Sequence, residues 1–148
     1  MSLLVAVASQ GTRIPITRDR VASVARAVLR AERVAHALLS ITFVSNAAIR
    51  TLNGKHLRHT AVTDVISFGF RKAGRSPHVV GDVYIAPDVA RVSARANGVR
   101  LREEIVRLIV HGTLHVLGYD HPDTQRRTRS PMWRKQERLV ARLAGAAS

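Results

Sequence analysis

Hydrophobic side chains recur along the chain with two alternating periods, one typical of strands and the other typical of helices. Residues 3–8 form a short apolar run that predicts a buried first strand. Residues 18–35 carry apolar side chains at the i, i+3, i+4 and i+7 spacing of one helix face, and Thr17 precedes them as a candidate N-cap. Residues 38–44 alternate between apolar and hydroxyl side chains, which predicts a second strand.

The rest of the pattern predicts two more strands and four more helices. A short helix begins at Ser45 or Asn46. Pro87 suits the first position of a later helix, and Asn97-Gly98 is a typical helix end. The other predicted elements are strands over residues 65–70 and 79–85 and helices over residues 87–97, 101–117 and 131–145.

These elements predict a single domain over residues 1–148. Strands that alternate with helices indicate an α/β (α+β) fold with a mixed, mostly parallel sheet of about four strands. A chain of 148 residues, 46% of them hydrophobic, can bury one core. The apolar start lacks the basic segment of a signal peptide, and no other stretch approaches the roughly 18 apolar residues of a membrane span. We therefore expect a soluble, cytoplasmic protein.

Composition limits the chemistry and indicates a class of partner. The chain has no cysteine, which excludes disulfides, Cys-based zinc sites and thiol nucleophiles. The net charge of +14 attracts polyanions, with RNA or DNA the first candidates and an anionic membrane surface the weaker one. Most of the 24 basic residues are arginines, as in a generally Arg-rich proteome, so charge alone does not identify a nuclease.

The most specific motif is His-Gly-Thr-Leu-His-Val-Leu-Gly-Tyr-Asp-His at residues 111–121. On a helix, the Cβ atoms of His111 and His115 lie about 5–6 Å apart on one face, so both imidazoles can reach one ion. Gly118 can end that helix in the left-handed conformation, and His121 can then turn in as a third ligand. Three protein ligands and an open position are typical of catalytic zinc. We expect one Zn²⁺ per chain, at the end of the central helix.

Position 112 separates this motif from that of the common zinc peptidases. Their HExxH motif places a glutamate beside the first histidine, where it acts as the general base. Here that position is Gly112. The ion must then contribute more of the activation, or the substrate must help. A phosphodiester suits this chemistry because its charged oxygens can bind the ion.

Two further motifs precede the histidines. They are Leu52-Asn53 followed by Thr-Asp-Val-Ile-Ser-Phe at 63–68, and Gly-Asp-Val-Tyr-Ile at 81–85. With the histidine motif, they make the sequence similar to the YbeY family of bacterial rRNA maturation endoribonucleases over roughly residues 40–140. The resemblance implies a zinc-dependent, single-strand-directed RNase that acts in 16S rRNA 3′-end processing and ribosome quality control. It also implies RNA and ribosomal particles as partners and places the metal ligands on His111, His115 and His121.

The chain departs from the family's pattern at two places. Many members carry an arginine before the Thr-Asp pair, where this chain has Leu57. Arg58 and His59 follow that position and are candidate catalytic residues, although a surface loop equally explains His59. The segment after the histidine motif is usually acidic in the family but is basic here. The candidate RNA-binding residues in it are Arg126, Arg127 and Arg129.

Carboxylates near these motifs have supporting roles in this interpretation. Asp120 adjoins His121 and can orient an imidazole by accepting a hydrogen bond from it. Asp64 is expected to cap a turn at the start of a strand. Ser67 and Phe68 are expected to pack within that strand rather than take part in catalysis.

Three functions compete for this motif. The first is a metal-dependent endoribonuclease, in which either a water on the ion or a ribose 2′-hydroxyl attacks phosphorus. The second is a ribosome-associated RNA-binding assembly factor with a mainly structural zinc, which a protein ligand at the fourth coordination position would favour. The third is another zinc hydrolase such as a peptidase, against which Gly112 argues. The oligomeric state is left open by the sequence.

Overall fold

The computed structural model describes residues 2–57, 63–70, 78–119 and 130–145. In chain order its elements are β1 (Ser2–Gln10), α1 (Arg18–Ala31), β2 (His36–Val44), α2 (Asn46–Leu57), β3 (Val65–Phe70), β4 (His78–Ile85), α3 (Pro87–Asn97), α4 (Leu101–Val116) and α5 (Pro131–Ala144). Every strand and helix predicted from the hydrophobic pattern is present.

The four strands form one mixed sheet in the order β1-β2-β4-β3. β1 pairs with β2 and β2 pairs with β4 in parallel, whereas β3 pairs with β4 antiparallel. The prediction of an α+β fold with a mixed, mostly parallel sheet is thus confirmed. The two parallel connections each include a helix, as a crossover between parallel strands requires.

Side-chain caps mark the starts of α1, α2 and α5, whereas α3 and α4 begin without one. The Thr17 hydroxyl accepts a hydrogen bond from the backbone N–H of Arg20, and Ser45, rather than Asn46, caps α2 by accepting from Ala48. The prediction that the first helix extends to residue 35 is wrong, because α1 ends at Ala31. Arg33 turns the chain out of the helix with a φ of 59°.

α4 lies at the centre of the fold. It contacts β3 and β4 on the sheet and packs against α1, α3 and α5. Its buried face carries Ile105, Ile109 and Leu114, each fully enclosed. The main core cluster joins these residues to side chains of α1, the sheet and α5. The helix that carries the histidine motif is therefore the most enclosed helix of the domain.

Glycines allow α4 to approach the sheet closely. Gly69 of β3 and Gly81 of β4 are directly paired beneath Val116. A Cβ on Gly81 would lie 2.4 Å from Val116 Cγ1, and a Cβ on Gly69 would lie 2.8 Å from the Val116 carbonyl oxygen. Gly112, one turn earlier, faces Val83 of β4 in the same way. These three positions set the distance between the histidine-bearing end of α4 and the sheet.

Two arginines of α1 bond to the backbone at the β1 edge of the sheet. The backbone N–H of Ser2 donates to the Ala35 carbonyl, so the even-numbered residues of β1 direct their backbone hydrogen bonds toward β2. The carbonyls of the odd-numbered residues Leu3 and Val7 therefore point away from the sheet. Arg26 donates to the Leu3 carbonyl and Arg18 to the Val7 carbonyl. These side chains occupy acceptors that another strand could otherwise use. Among the described helices, none is long and apolar enough to cross a membrane.

Candidate metal centre

His111 and His115 lie next to each other on the last turns of α4. Their ring centroids are 4.8 Å apart, and the rings meet edge to face at 71°. Both side chains are half-buried and line the same cavity. The i, i+4 spacing thus brings together the two imidazoles as the sequence predicted.

α4 ends with the predicted glycine turn. Gly118 has a φ of 102°, a value that an L side chain rarely adopts. Its N–H donates to the His115 carbonyl at 2.9 Å, and the N–H of Tyr119 donates to the Leu114 carbonyl at 3.1 Å. These bonds close the last turn of the helix and direct the following chain away from its axis.

A cavity of about 470 Å³ opens beside the two histidines. Three segments supply its walls: residues 63–67 at the start of β3, one face of α4, and the N-cap and first turns of α5. Its lining residues are Thr63, Asp64, Val65, Ile66, Ser67, Glu104, Arg107, Leu108, His111, His115, Ser130, Met132, Trp133 and Gln136. Apolar and polar groups are both represented, as is typical of ligand sites.

Gln136 on α5 contacts the first histidine directly. The Nδ1 atom of His111 lies 2.6 Å from Oε1 of Gln136, which is 3% exposed. The amide nitrogen of the same side chain donates to Oε2 of Glu137 at 3.0 Å. With one ring nitrogen engaged by an amide oxygen, the other is the nitrogen suited to a metal.

Arg107 and Glu104 line the cavity and belong to a cluster of one arginine and three glutamates. Arg107 donates to Glu103, Glu104 and Glu137 at distances between 3.0 and 3.3 Å. Burial would raise the pKa of the Glu137 carboxyl, but hydrogen bonds from Arg107 and Gln136 outweigh burial and lower it. For Glu104 burial prevails over the bond from Arg107, and its pKa is raised. The hydrogen bond with Glu137 is the largest cause that raises the pKa of Arg107.

The two imidazoles fit two positions of a zinc site. Neutral histidine nitrogen is a preferred zinc ligand, and both rings face one cavity. Within the described residues, no group of three or more histidines or carboxylates is placed to hold a metal ion. The third predicted ligand, His121, lies outside the described residues, as does Asp120.

The other predicted site residues also lie outside the described residues; they are Arg58, His59, Arg126, Arg127 and Arg129. Asp64 stands at the start of β3, where its carbonyl accepts the backbone N–H of Ala86 and its residue lines the cavity. Ser67 also lines the cavity. Phe68 packs edge-on against Tyr84 with ring centroids 6.1 Å apart, as expected of a strand-packing residue.

Sequence reasoning missed Arg107, Gln136 and Trp133. Arg107 had a signal, because it precedes His111 by four residues and therefore shares the helix face of the histidines. Gln136 and Trp133 had none, since their position at the cavity depends on how α5 packs against α4.

Comparisons with known proteins agree on one family. A family model described as Endoribonuclease YbeY matches residues 6–144. The protein of that name from Syntrophus aciditrophicus is 29% identical to this chain, over 98% of this chain and 92% of its own length. The one from Chlorobaculum tepidum is 33% identical, over 89% of this chain and 93% of its own length. The one from Bacillus licheniformis is 34% identical, over 96% of each chain. The solution structure of TM1509 from Thermotoga maritima matches with a TM-score of 0.62 at 20% identity, covering 96% of this chain and 90% of that one. The last match supports the fold.

Proposed function

This chain belongs to the Endoribonuclease YbeY family, and we propose that it is a zinc-dependent endoribonuclease acting on single-stranded RNA in rRNA maturation. We extend the proposal to 16S rRNA 3′-end processing and ribosome quality control in the cytoplasm, with ribosomal particles as partners. The support comes from the family's name, the histidine motif and the net charge of +14, which suits a polyanionic substrate.

One observation carries the proposal of a catalytic zinc. The paired rings of His111 and His115, 4.8 Å apart, stand in the wall of a cavity of about 470 Å³ rather than inside a closed core. A structural zinc is normally enclosed by four protein ligands, whereas a catalytic zinc keeps a position open to water or substrate. A cavity beside the ligands favours the second arrangement, with His121 as the third ligand.

Different residues bind the metal ion and the RNA base in this proposal. His111 and His115 hold the ion, which when bound lowers the pKa of water and offsets charge on a phosphate. The apolar wall that includes Leu108, Met132 and Trp133 can take a nucleobase of an unpaired strand, since every base offers a flat apolar face. A base buried in a duplex would first have to leave its stack, which favours single-stranded substrate.

The charge distribution restricts where the phosphates can lie. Arg107 is the cation nearest His111 along α4, but three glutamates already accept its hydrogen bonds. This part of the cavity wall therefore repels phosphate. We propose that the RNA backbone is held instead by the basic segment after the histidine motif, which contains Arg126, Arg127 and Arg129.

The proposal can be tested by metal analysis and RNA cleavage with matched histidine variants. His111→Ala and His115→Ala should each lose most bound zinc and lose cleavage while remaining folded. His36→Ala is the control. The ring of His36 also lies near that of a second histidine, His78, with centroids 5.0 Å apart, but this pair is on the sheet and away from α4. This variant should keep both zinc and activity.

Two results would contradict the proposal. Stoichiometric zinc in both helix variants would remove the metal assignment. RNA cleavage that survives in His115→Ala, or that resists a chelator, would assign the activity to another site. If cleavage depends on the site, the ends of the RNA products identify the nucleophile. A 2′,3′-cyclic phosphate indicates attack by the ribose 2′-hydroxyl.

A further inference from the structure

A continuous hydrogen-bond chain leads from α4 through α5 back to the first histidine. It begins at Arg107, whose Nε atom lies 3.0 Å from Oε2 of Glu137 and whose Nη2 atom lies 3.0 Å from Oε1. A guanidinium stays protonated and has no acceptor, so it can only donate. Glu137 must therefore accept at this end, and the same bonds keep it ionised by lowering the pKa of its carboxyl.

The direction of the next bond follows from the first. An ionised carboxylate is only an acceptor, so the atom of Gln136 that lies 3.0 Å from Glu137 Oε2 must be the amide nitrogen. The amide oxygen of Gln136 is then the atom that faces Nδ1 of His111, at 2.6 Å. An oxygen without a hydrogen requires a donor, so Nδ1 must carry the proton.

We propose that Arg107, Glu137 and Gln136 form a hydrogen-bond chain of fixed direction that holds neutral His111 in its Nδ1–H tautomer and assigns Nε2 as its metal-ligating nitrogen. Gln136 is a positioning residue in this inference. The functional role of Gln136 rests on the proposed metal site, but the tautomer of His111 is a property of the metal-free protein. Metal-ligating histidines commonly donate their other N–H to an oxygen, and loss of that oxygen weakens metal binding.

An amide suits the middle of this chain. It offers an acceptor to His111 and a donor to Glu137 at the same time. A glutamate at 136 would keep the acceptor but place a second carboxylate against Glu137. Gln136 itself is 3% exposed, so water has little access to its amide and does not readily replace a missing partner.

The test measures the His111 tautomer in the metal-free, full-length protein by ¹⁵N NMR at about pH 8, above the ordinary histidine pKa. The wild type should show protonated Nδ1 and unprotonated Nε2. Gln136→Met, which keeps the volume and removes both amide groups, should show a mixture of tautomers. Its zinc dissociation constant should rise by about 10–100-fold.

Glu137→Gln and Glu103→Gln form a matched pair that does not depend on the Gln136 variant. Both glutamates accept from Arg107, but Glu137 alone of the two contacts Gln136. Glu137→Gln should mix the tautomers and weaken zinc binding, because an amide at 137 can present either group to Gln136. Glu103→Gln should leave both unchanged.

A single Nδ1–H tautomer and unchanged zinc affinity in Gln136→Met would overturn the inference, as would protonated Nε2 in the wild type. Wild-type protein that holds the Nδ1–H tautomer but binds no zinc would instead contradict the proposed function, while the chain of fixed direction would stand.

Discussion

Arg107 on α4 faces Glu137 on α5 side-on, with its Nε and Nη2 atoms each 3.0 Å from a different carboxylate oxygen. This bidentate pair joins the two helices that supply His111 and Gln136. Glu104, one turn before Arg107 on α4, also accepts from it at 3.2 Å but is 6% exposed. The pKa of Glu137 is lowered and that of Glu104 is raised. Arg107 thus donates hydrogen bonds to two carboxylates whose ionisation affects the stability of the fold in opposite directions.

Replacement of Glu137 by Gln should destabilise the domain near neutral pH. Because the pKa of Glu137 is lowered on folding, the ionised group stabilises the folded protein at all pH values above its unfolded pKa of about 4.3. That contribution is lost as the pH falls through the folded pKa. We expect Glu137→Gln to lower the free energy of unfolding by about 1.5–3 kcal/mol near neutral pH, the range for hydrogen bonds to charged groups, and by less in acid. Urea unfolding of metal-free protein across this pH range measures it.

Replacement of Glu104 by Gln should have the opposite pH dependence. The pKa of Glu104 is raised on folding, so its ionisation costs stability that develops as the pH rises from the unfolded to the folded pKa. Relative to the wild type, Glu104→Gln should therefore gain stability as the pH rises above about 4.3. Parallel pH profiles for the two variants would show that the environments of these carboxylates do not differ as described.

Tyr119 should be a strong anchor where the chain leaves α4. Its hydroxyl donates to Glu32 Oε1 at 2.5 Å and accepts from Lys135 Nζ at 2.8 Å, and Lys135 also pairs with Glu32 at 2.9 Å. Tyr119→Phe leaves the Glu32 carboxylate, 12% exposed, with one donor fewer. The loss should be about 1–3 kcal/mol in the free energy of unfolding.

Tyr84→Phe is the control for that measurement. Among the described residues the Tyr84 hydroxyl has no hydrogen-bond partner, so removal of this oxygen should change stability much less. Equal losses in the two variants would mean that the Glu32–Tyr119–Lys135 contacts contribute little.

The sequence predicted those features that depend on local backbone chemistry. Gly98 ends α3 with a φ of 66°, and Pro87 takes the first position of the same helix, both as the residue types predicted. The end of α1 escaped prediction because Arg33, which is not a glycine, takes the left-handed conformation there. No residue type marks such a position in advance; the N–H groups of Arg33 and Val34 close the helix on the carbonyls of Arg30 and Leu29.

The site was predictable only where its geometry lies within one helix. The spacing of His111 and His115 fixes their proximity, whichever way the domain folds. The contact between His111 and Gln136 joins residues of two helices, and the side chain that meets the histidine is chosen by the packing of α5. Lys135 shows the same limit, since its place in the sequence gives no sign that the fold pairs it with Glu32.

RNA binding should weaken with salt in proportion to the phosphates contacted by the basic segment. Each cation that neutralises a phosphate on a single strand contributes about −0.7 to the slope of log K against log salt. Joint replacement of Arg126, Arg127 and Arg129 by Ala should flatten the slope by up to about 2 units without loss of zinc. Trp133 lines the cavity and is the only tryptophan of the chain, so its fluorescence can report binding.

Lys135→Ala is the control for that titration, because its ammonium is committed to Glu32 and Tyr119. It should change the slope less than any one of the three arginines does. An unchanged slope in the triple variant would place the RNA path elsewhere on the surface, and Arg71, Lys72 and Arg75 would be the next positions to test.

Gly112 should resist even the smallest side chain. On an exposed helix, Ala in place of Gly would stabilise by about 1 kcal/mol. Here the added Cβ would lie 2.6 Å from Cγ1 of Val83 and 3.1 Å from Oγ of Ser67. Val83 is fully buried and has no space to yield, so overpacking should outweigh helix propensity. We expect Gly112→Ala to lower the free energy of unfolding by about 1–3 kcal/mol, measured by urea unfolding.

Two comparisons isolate this contact. Gly145→Ala adds a Cβ that meets its nearest atom at 3.5 Å, an ordinary contact, and should leave stability nearly unchanged. The double variant Gly112→Ala/Val83→Ala should be more stable than the sum of the single losses predicts, because Val83→Ala removes the methyl groups that clash.

The same geometry explains why the motif lacks the peptidase glutamate, since a side chain at 112 points at the sheet rather than into the cavity. Gly112→Glu should therefore unfold the domain without creating peptidase activity, and a folded Gly112→Glu protein would contradict this account.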